Sequence, residues 1–364
     1  MKTAAIARRF FCFLFQIRAP GYPVGMSESK SMILGATGTK LTADEIAFYR
    51  NERPWGFILF ARNIEEAGQL SDLVASMRDS VGRPDAPVFI DQEGGRVQRL
   101  RPPMAANYPT ASELGRIYDR DPEAGVRAAW LMSRLHAMDL KRYGITADCL
   151  PVLDVPIAGA HDVIGDRAYA HDPEAVIALG RAASDGLMAG GVLPVMKHVP
   201  GHGRAFCDSH KALPEVTASL DELRAHDFVP FKALADLPMA MTAHIVFHAI
   251  DAERPTTTSE KVVQEIIRGE IGFDGLLMSD DVSMHALSGD FSDRAEAILA
   301  AGCDLVLHCH GIMPEMKAVA EKAPELSGKS LERVNRAMAY LTPGDDTEEL
   351  AARAEFEQCF AAVA

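Results

Sequence analysis

The sequence predicts an α/β fold: a single (β/α)8 TIM-like barrel with extra C-terminal helices. Three observations carry that expectation. From residue 31 onward, short apolar runs alternate with amphipathic stretches, eight such runs occur, and the unusual polar residues cluster where the runs end. Continuous apolar strands separated by helices indicate a parallel sheet covered on both faces. No G-x-G-x-x-G follows the first run, so an open dinucleotide-binding sheet loses its main signal.

In chain order, the run Met32–Thr37 precedes a helical stretch Asp44–Arg50, with Thr42 as its N-cap ahead of Asp44 and Glu45. Gly56–Ala61 is followed by Ile64–Ser80, and Pro87–Ile90 comes next. The helical pattern Pro122–Tyr143 leads into Ile145–Leu153, and Pro173–Ala189 leads into Val192–His198. Ser219–Ala235 precedes Met239–Phe247. Ser259–Gly269, with Ser259 before Glu260 as its cap, precedes Asp274–Ser279, and Arg294–Gly302 precedes Asp304–Cys309. Residues 314–364 read as further helix with a break at Pro343–Gly344, and no linker or internal repeat divides the chain.

Composition narrows the function classes. In 364 residues, 48% are hydrophobic and 24% charged, which excludes a disordered or fibrous chain. The 37 basic and 51 acidic residues leave a net charge of −14, so neither nucleic acid nor an anionic membrane surface is an expected partner. The six cysteines are scattered without a C-x-x-C pair, which fits a reducing compartment better than a disulfide framework or zinc cage. No uncharged apolar run reaches the ~18 residues of a membrane span. Lys2, Arg8 and Arg9 precede Phe10–Phe15, but that run falls short of the ~7–15 apolar residues of an export signal and no A-x-A site follows. Residues 1–25 are therefore expected to be a non-native or disordered leader, with a catalytic domain over 26–364 and a cytoplasmic location.

In such a barrel, chemistry sits where strands end. The third run ends in Asp91-Gln-Glu-Gly-Gly-Arg96-Val-Gln-Arg99, and the fifth in Lys197-His198-Val-Pro-Gly-His202-Gly, continuing to Asp208-Ser-His210. The sixth carries His244, the seventh Asp280–Asp281, and the eighth His308-Cys-His310. The stretch 199–213, with glycines on both sides of His202 and no hydrophobic period, reads as a mobile loop. Within it Asp208 and His210 are two apart, so extended backbone sets both side chains on one side, where the carboxylate can orient the imidazole and raise its pKa. A histidine so held exchanges protons near neutral pH, although a surface contact would use the same spacing. Pleating sends Asp280 and Asp281 to opposite faces, so one points to the barrel mouth and the other holds backbone or caps a helix. The carboxylate at the mouth could serve as a nucleophile or a metal ligand. Lys197 and His198 beside Asp91 and Arg99 would supply donors and an acceptor for a neutral, hydroxyl-rich ligand.

Taken together, DQEGGRVQR at 91–99, KHVPGHG at 197–203, Asp208-Ser-His210 and SDDVSM at 279–284 resemble the β-N-acetylhexosaminidases of glycoside hydrolase family 3, in motif order over about residues 31–340. The resemblance is to the compact single-domain bacterial members that recycle cell-wall peptidoglycan. It implies a retaining (β/α)8 enzyme in which Asp280 is the nucleophile and His210, oriented by Asp208, the general acid/base. By the same likeness Asp91, Arg99, Arg167 (in Ile-Gly-Asp-Arg-Ala-Tyr), Lys197 and His198 bind the N-acetylglucosamine ring. Val199 stands where the family usually has Phe, and Ala168-Tyr169 where it has Ser-Phe. The implied substrate is an N-acetylglucosamine-containing muropeptide. No cofactor and no metal are expected, and the expected assembly is a monomer or weak homodimer. The competing readings are a β-glucosidase or xylosidase of the same family, a metal-dependent barrel hydrolase built from His198, His202, His244, His308 and Asp280, and a sugar-binding protein that kept the fold.

Overall fold

The computed structural model describes residues 28–206 and 213–361. Eight parallel strands close into a barrel in chain order: β1 (Lys30–Gly35), β2 (Pro54–Leu59), β3 (Val88–Ile90), β4 (Ala147–Asp148), β5 (Leu193–Val199), β6 (Met239–Thr242), β7 (Leu276–Asp281) and β8 (Leu305–His308). Closure is the pairing of β8 with β1, in the register Met32 to Val306. The predicted barrel with additional C-terminal helices is thus observed, those helices being Met313–Lys322, Gly328–Met338 and Glu349–Ala361.

The strands read as unbroken apolar runs because both of their faces are buried. Alternate side chains divide between two cores, as a period of two requires. Ile33, Ile58, Phe89, Val195, Met278 and Leu307 fill the barrel interior. Their neighbours Leu34, Phe57, Ile90, Met196, Leu277 and Val306 pack outward against the helices. The cap expected at Thr42 is present as a reciprocal capping box with Glu45, which starts the helix Ala43–Glu52.

Four elements depart from the sequence pattern. The run Ile145–Leu153 pairs as a ladder only at Ala147–Asp148, since Pro151 has no N–H to continue it. Ser219–Ala235 divides into Leu220–Ala225 and Val229–Ala233, with Pro230 at the start of the second piece, where its missing donor costs nothing. Met239–Phe247 leaves the barrel after Thr242, and Val246–Phe247 pairs instead with Glu215–Val216. The stretch Val262–Glu270 is wound as a π-helix that buries Val262, Val263, Ile266 and Ile267. A further helix, Ala111–Arg120, follows a small hairpin of Gln92–Gly94 with Val97–Gln98. Among the described residues no helix is long and apolar enough to cross a membrane.

Candidate active site

At the C-terminal end of the strands lies a cavity of about 570 Å³. Its lining includes Asp91, Arg99, Arg167, Lys197, His198 and Asp280, so the barrel brings together every sequence-derived site residue that the structure describes. Asp208 and His210 lie outside the described residues.

One wall is a chain of alternating charges. Arg99 Nη2 donates to Asp91 Oδ2 at 3.0 Å, and Lys197 Nζ to Asp91 Oδ1 at 3.0 Å. Lys197 also lies 2.7 Å from Glu93 Oε1, and Arg167 grips Glu93 with two hydrogen bonds of 2.8 Å. Burial opposes ionisation of both acids, but the cations outweigh it. Lys197 and Arg99 hold Asp91 below the usual carboxylate range, and Arg167 with Lys197 holds Glu93 down to about 2. Burial likewise works against the charge of Lys197, yet Asp91 and Glu93 raise its pKa above the ordinary value. Lys197, 2% exposed, therefore stays a cation in a site that would otherwise neutralise it. Phe60 completes this wall, with the Arg99 guanidinium 5.4 Å from its ring centroid.

A second wall is built on Asp154, which lies in the irregular chain beyond β4 and is wholly buried. Its Oδ2 is 2.7 Å from His198 Nδ1, while Oδ1 accepts the backbone N–H groups of His198 at 3.1 Å and His202 at 2.7 Å. Burial disfavours the anion, but the charge of His198 and its hydrogen bond bring Asp154 down to about 2. Around His202 the chain is largely buried through Ala205, packed against the second wall rather than standing out from the barrel, and Phe206 is exposed. The glycines there serve close packing: a Cβ on Gly203 would stand 2.0 Å from the Val155 carbonyl, and Gly201 sits at φ +142°. Burial lowers the pKa of His202 to about 4, so its ring is neutral.

Opposite stand the two adjacent acids at the end of β7. Asp280 Oδ1 accepts the N–H of Asp281 at 2.7 Å, which fixes the carboxylate that lines the cavity. The Asp281 side chain reaches the cavity edge but works on the backbone: Oδ1 accepts from the N–H groups of Ser283 and Cys309 at 3.1 Å each, and Oδ2 accepts the Ser283 hydroxyl. Both residues line the cavity, contrary to the expectation that one alone would face it, while Asp281 does hold backbone as expected. His244 braces the same turn, its Nε2 donating to the Asp281 carbonyl at 3.0 Å, and its burial lowers its pKa. His308 is turned to Glu315 at 2.8 Å. Of the histidines in the metal-hydrolase reading, His198 is thus turned to Asp154, His244 to Thr257 and the Asp281 carbonyl, and His308 to Glu315, and among the described residues no group of His, Cys, Asp or Glu is arranged to hold a metal ion.

Glu93 and Asp154 carry no assignment in the sequence reading. Glu93 sits inside the quoted DQEGG motif, whereas Asp154 has no local signal, because its partners are 44 and 48 positions away.

A barrel whose strand ends gather one presented carboxylate, fixed cations and hydrogen-bonding histidines around a polar cavity is the architecture of a glycoside hydrolase. Residues 29–341 match the glycosyl hydrolase family 3 N-terminal domain, and the chain belongs to that family. It is 36% identical over 321 residues to a β-hexosaminidase of Bordetella avium, covering 87% of this chain and 90% of that one. A β-hexosaminidase of Pseudomonas aeruginosa is 41% identical over 291 residues, covering 77% of this chain and 82% of the relative. Among solved structures, NagZ from Neisseria gonorrhoeae in complex with N-trifluoroacetyl-D-glucosamine superposes with a TM-score of 0.80 at 32% identity, over 93% of this chain and 98% of that one.

Proposed function

We propose that this enzyme is a retaining exo-β-N-acetylhexosaminidase that removes terminal β-linked N-acetylglucosamine from muropeptides during cell-wall recycling. The observation that carries the reading is the juxtaposition, across one cavity, of Asp280 with Asp91, Arg99, Arg167, Lys197 and His198. Such an array of fixed donors and acceptors suits a neutral, polyhydroxylated ring, and the N-trifluoroacetyl-D-glucosamine bound by the similar NagZ structure supports an N-acetyl sugar as its identity.

The mechanism follows from the chemistry of these groups. Asp280 attacks the anomeric carbon while His210, oriented by Asp208, gives its proton to the departing oxygen, leaving a glycosyl ester on Asp280 and a neutral imidazole. His210 then removes a proton from water as that water attacks the anomeric carbon, releasing the sugar with its original configuration. Most retaining glycosidases use two carboxyl groups about 5–5.5 Å apart, and in this reading a histidine takes the place of the second. We assign the working enzyme to residues 26–364, the preceding 25 to a leader, and its site of action to the cytoplasm, in keeping with its scattered cysteines.

Hydrolysis of an aryl N-acetyl-β-D-glucosaminide beside the matching β-glucoside, both in EDTA, tests the reading. Turnover of the N-acetyl substrate alone, with the β-anomer as first product by NMR, is the expected result. Preference for the glucoside would overturn the substrate, an α-anomer the retaining mechanism, and loss of activity in EDTA the metal-free chemistry. Release of N-acetylglucosamine from purified muropeptides then tests the biological substrate.

A further inference from the structure

Asp154 contacts the sugar site only through other residues, yet both of its oxygens are committed there. Oδ2 meets the Nδ1 of His198 at 2.7 Å, and Oδ1 collects the two backbone N–H groups of His198 and His202. An ionised carboxylate only accepts hydrogen bonds, so Nδ1 must be the protonated nitrogen of the His198 ring. While the ring holds a second proton it is a cation facing Asp154; once that proton is lost, Nδ1 keeps the proton shared with Asp154, the other nitrogen, Nε2, carries a lone pair, and His198 lines the cavity. We propose that Asp154 is a positioning residue for substrate: it locks His198 as the Nδ1–H tautomer, so that His198 accepts a hydrogen bond from a sugar hydroxyl. The inference rests on the reading of His198 as a sugar ligand.

The consequence is a division of labour among the ligands of the ring. Lys197, Arg99 and Arg167 bring only donors, which suit the lone pairs of hydroxyl oxygens. A hydroxyl that accepts from one of these cations still has its proton to place. Asp91, already accepting from Arg99 and Lys197, and His198 are the acceptors on this wall. A His198 ring in the other tautomer would present N–H to the cavity and leave that hydroxyl proton facing a donor. A buried mismatch of this kind discriminates more sharply than a lost apolar contact, because both groups are left unpaired.

Asp154→Asn separates the tautomer from the backbone clamp. The amide oxygen still accepts the two backbone N–H groups, while the amide nitrogen faces His198 Nδ1 and donates to it, which drives the proton to Nε2. Nitrogen-15 NMR of histidine-labelled full-length protein in mildly alkaline buffer reads the tautomer directly. The wild type is expected to show protonated Nδ1, and Asp154→Asn protonated Nε2. KM for the aryl N-acetylglucosaminide is expected to rise about 10- to 100-fold with kcat changed less, the range that follows from leaving buried polar groups unpaired. In a His198→Ala background, adding Asp154→Asn should cost nothing further, because Asp154 acts through the ring. Protonated Nε2 in the wild type would overturn the proposal without any variant being needed. Losses that multiply in the double variant would overturn it too, placing the effect in the backbone clamp. A wild-type KM in His198→Ala, with Nδ1 protonated in the parent, would instead overturn the ligand role of His198.

Discussion

Glu93 orients Arg167 through two parallel hydrogen bonds, from Nε to Oε2 and from Nη2 to Oε1, each 2.8 Å long. This fork fixes the plane of the guanidinium as well as its position. Glu93 is 4% exposed and stands behind the cavity wall, so a residue that does not meet the ligand decides how Arg167 is presented to it. Glu93→Gln preserves the size of the side chain but leaves Lys197 with Asp91 as its one neighbouring carboxylate, and Arg167 with the charges of Asp154 and Asp91 but no carboxylate to grip. KM for the aryl N-acetylglucosaminide is expected to rise about 10- to 100-fold, with a smaller change in kcat, as removal of a buried charged partner implies. Steady-state kinetics on the purified variant decides this, and an unchanged KM would show that Arg167 keeps its place without the fork.

The same carboxylate makes stability depend on pH in a defined direction. Glu93 drops from its ordinary value of 4.5 to about 2 on folding, because Arg167 and Lys197 outweigh the effect of burial. A depressed folded pKa means the unfolded chain binds the proton first as the solution is acidified. The contribution of Glu93 is therefore complete above pH 4.5 and is lost as the pH falls toward about 2. Asp154, also depressed to about 2, adds a loss of the same sign. Urea unfolding at a series of pH values should show the wild type losing stability across that window and Glu93→Gln losing less. Equal slopes in the two proteins would remove Glu93 as a source of the acid sensitivity.

What the sequence discloses and what it hides have separate physical causes. Asp91, Lys197, His198 and Asp280 can be found because a parallel strand buried on both faces reads as an apolar run, and a polar residue at its end stands out. Their partners do not stand out. Asp154 follows Pro151 in irregular chain, and only the closed barrel brings it to His198. The helix Ala111–Arg120 does have a readable start, Thr110 with Glu113 ahead of Leu114 and Ile117, but Asp121–Pro122 begins another helix at once and interrupts the apolar period. The π-winding of Val262–Glu270 has no such mark, since its buried residues recur at a spacing that an α-helix also satisfies. Asp208 and His210 lie outside the described residues, so their roles rest on the motif.

Asp280 is the residue on which the proposed chemistry depends. Asp280→Ala should lower kcat on the aryl N-acetylglucosaminide by at least about 1,000-fold, the scale expected for loss of a nucleophile. Binding of N-acetylglucosamine by calorimetry should persist, because the charge chain Arg99–Asp91–Lys197–Glu93–Arg167 is untouched. His210→Ala should respond differently to the leaving group: activated aryl glycosides need little protonation and should lose least, whereas disaccharide substrates should lose most. Equal losses on both substrates would argue against an acid role for His210, and near-normal turnover by Asp280→Ala would remove the nucleophile.

The C-terminal helix Glu349–Ala361 lies beyond the stretch matched by the family domain and is tied to the barrel by Arg353. Its Nη2 donates to the buried Asp139 at 2.7 Å, and its Nη1 to the Tyr108 hydroxyl at 3.3 Å. Arg353→Met would leave Asp139 with Arg142 and Tyr108 as its remaining partners. A loss of about 1–3 kcal/mol in unfolding free energy is expected from the impaired buried acid. KM and kcat should stay at wild-type values, since Arg353 is not part of the cavity lining. Chemical denaturation beside kinetics tests both halves, and a raised KM would mean that the helix also holds the sugar site.

Lys197 presents the opposite case, in which site and stability are inseparable. Its ammonium lies 3.0 Å from Asp91 and 2.7 Å from Glu93, and 2% of the side chain is exposed. Lys197→Met retains the length of the apolar stem but leaves two buried acids with only Arg99 and Arg167 to balance them. Breaking a buried ion pair from one side costs about 3–5 kcal/mol, so a fall of that order is expected at neutral pH. Without the ammonium, both carboxyl groups would ionise less readily in the folded protein than they do beside it. The folded variant would then hold its protons to higher pH than the wild type does, and its stability relative to wild type should improve as the solution is acidified. The deficit measured by urea unfolding should therefore narrow as the pH falls through the carboxylate range, below about 4.5. A deficit constant over that interval would assign the contribution of Lys197 to packing rather than to charge.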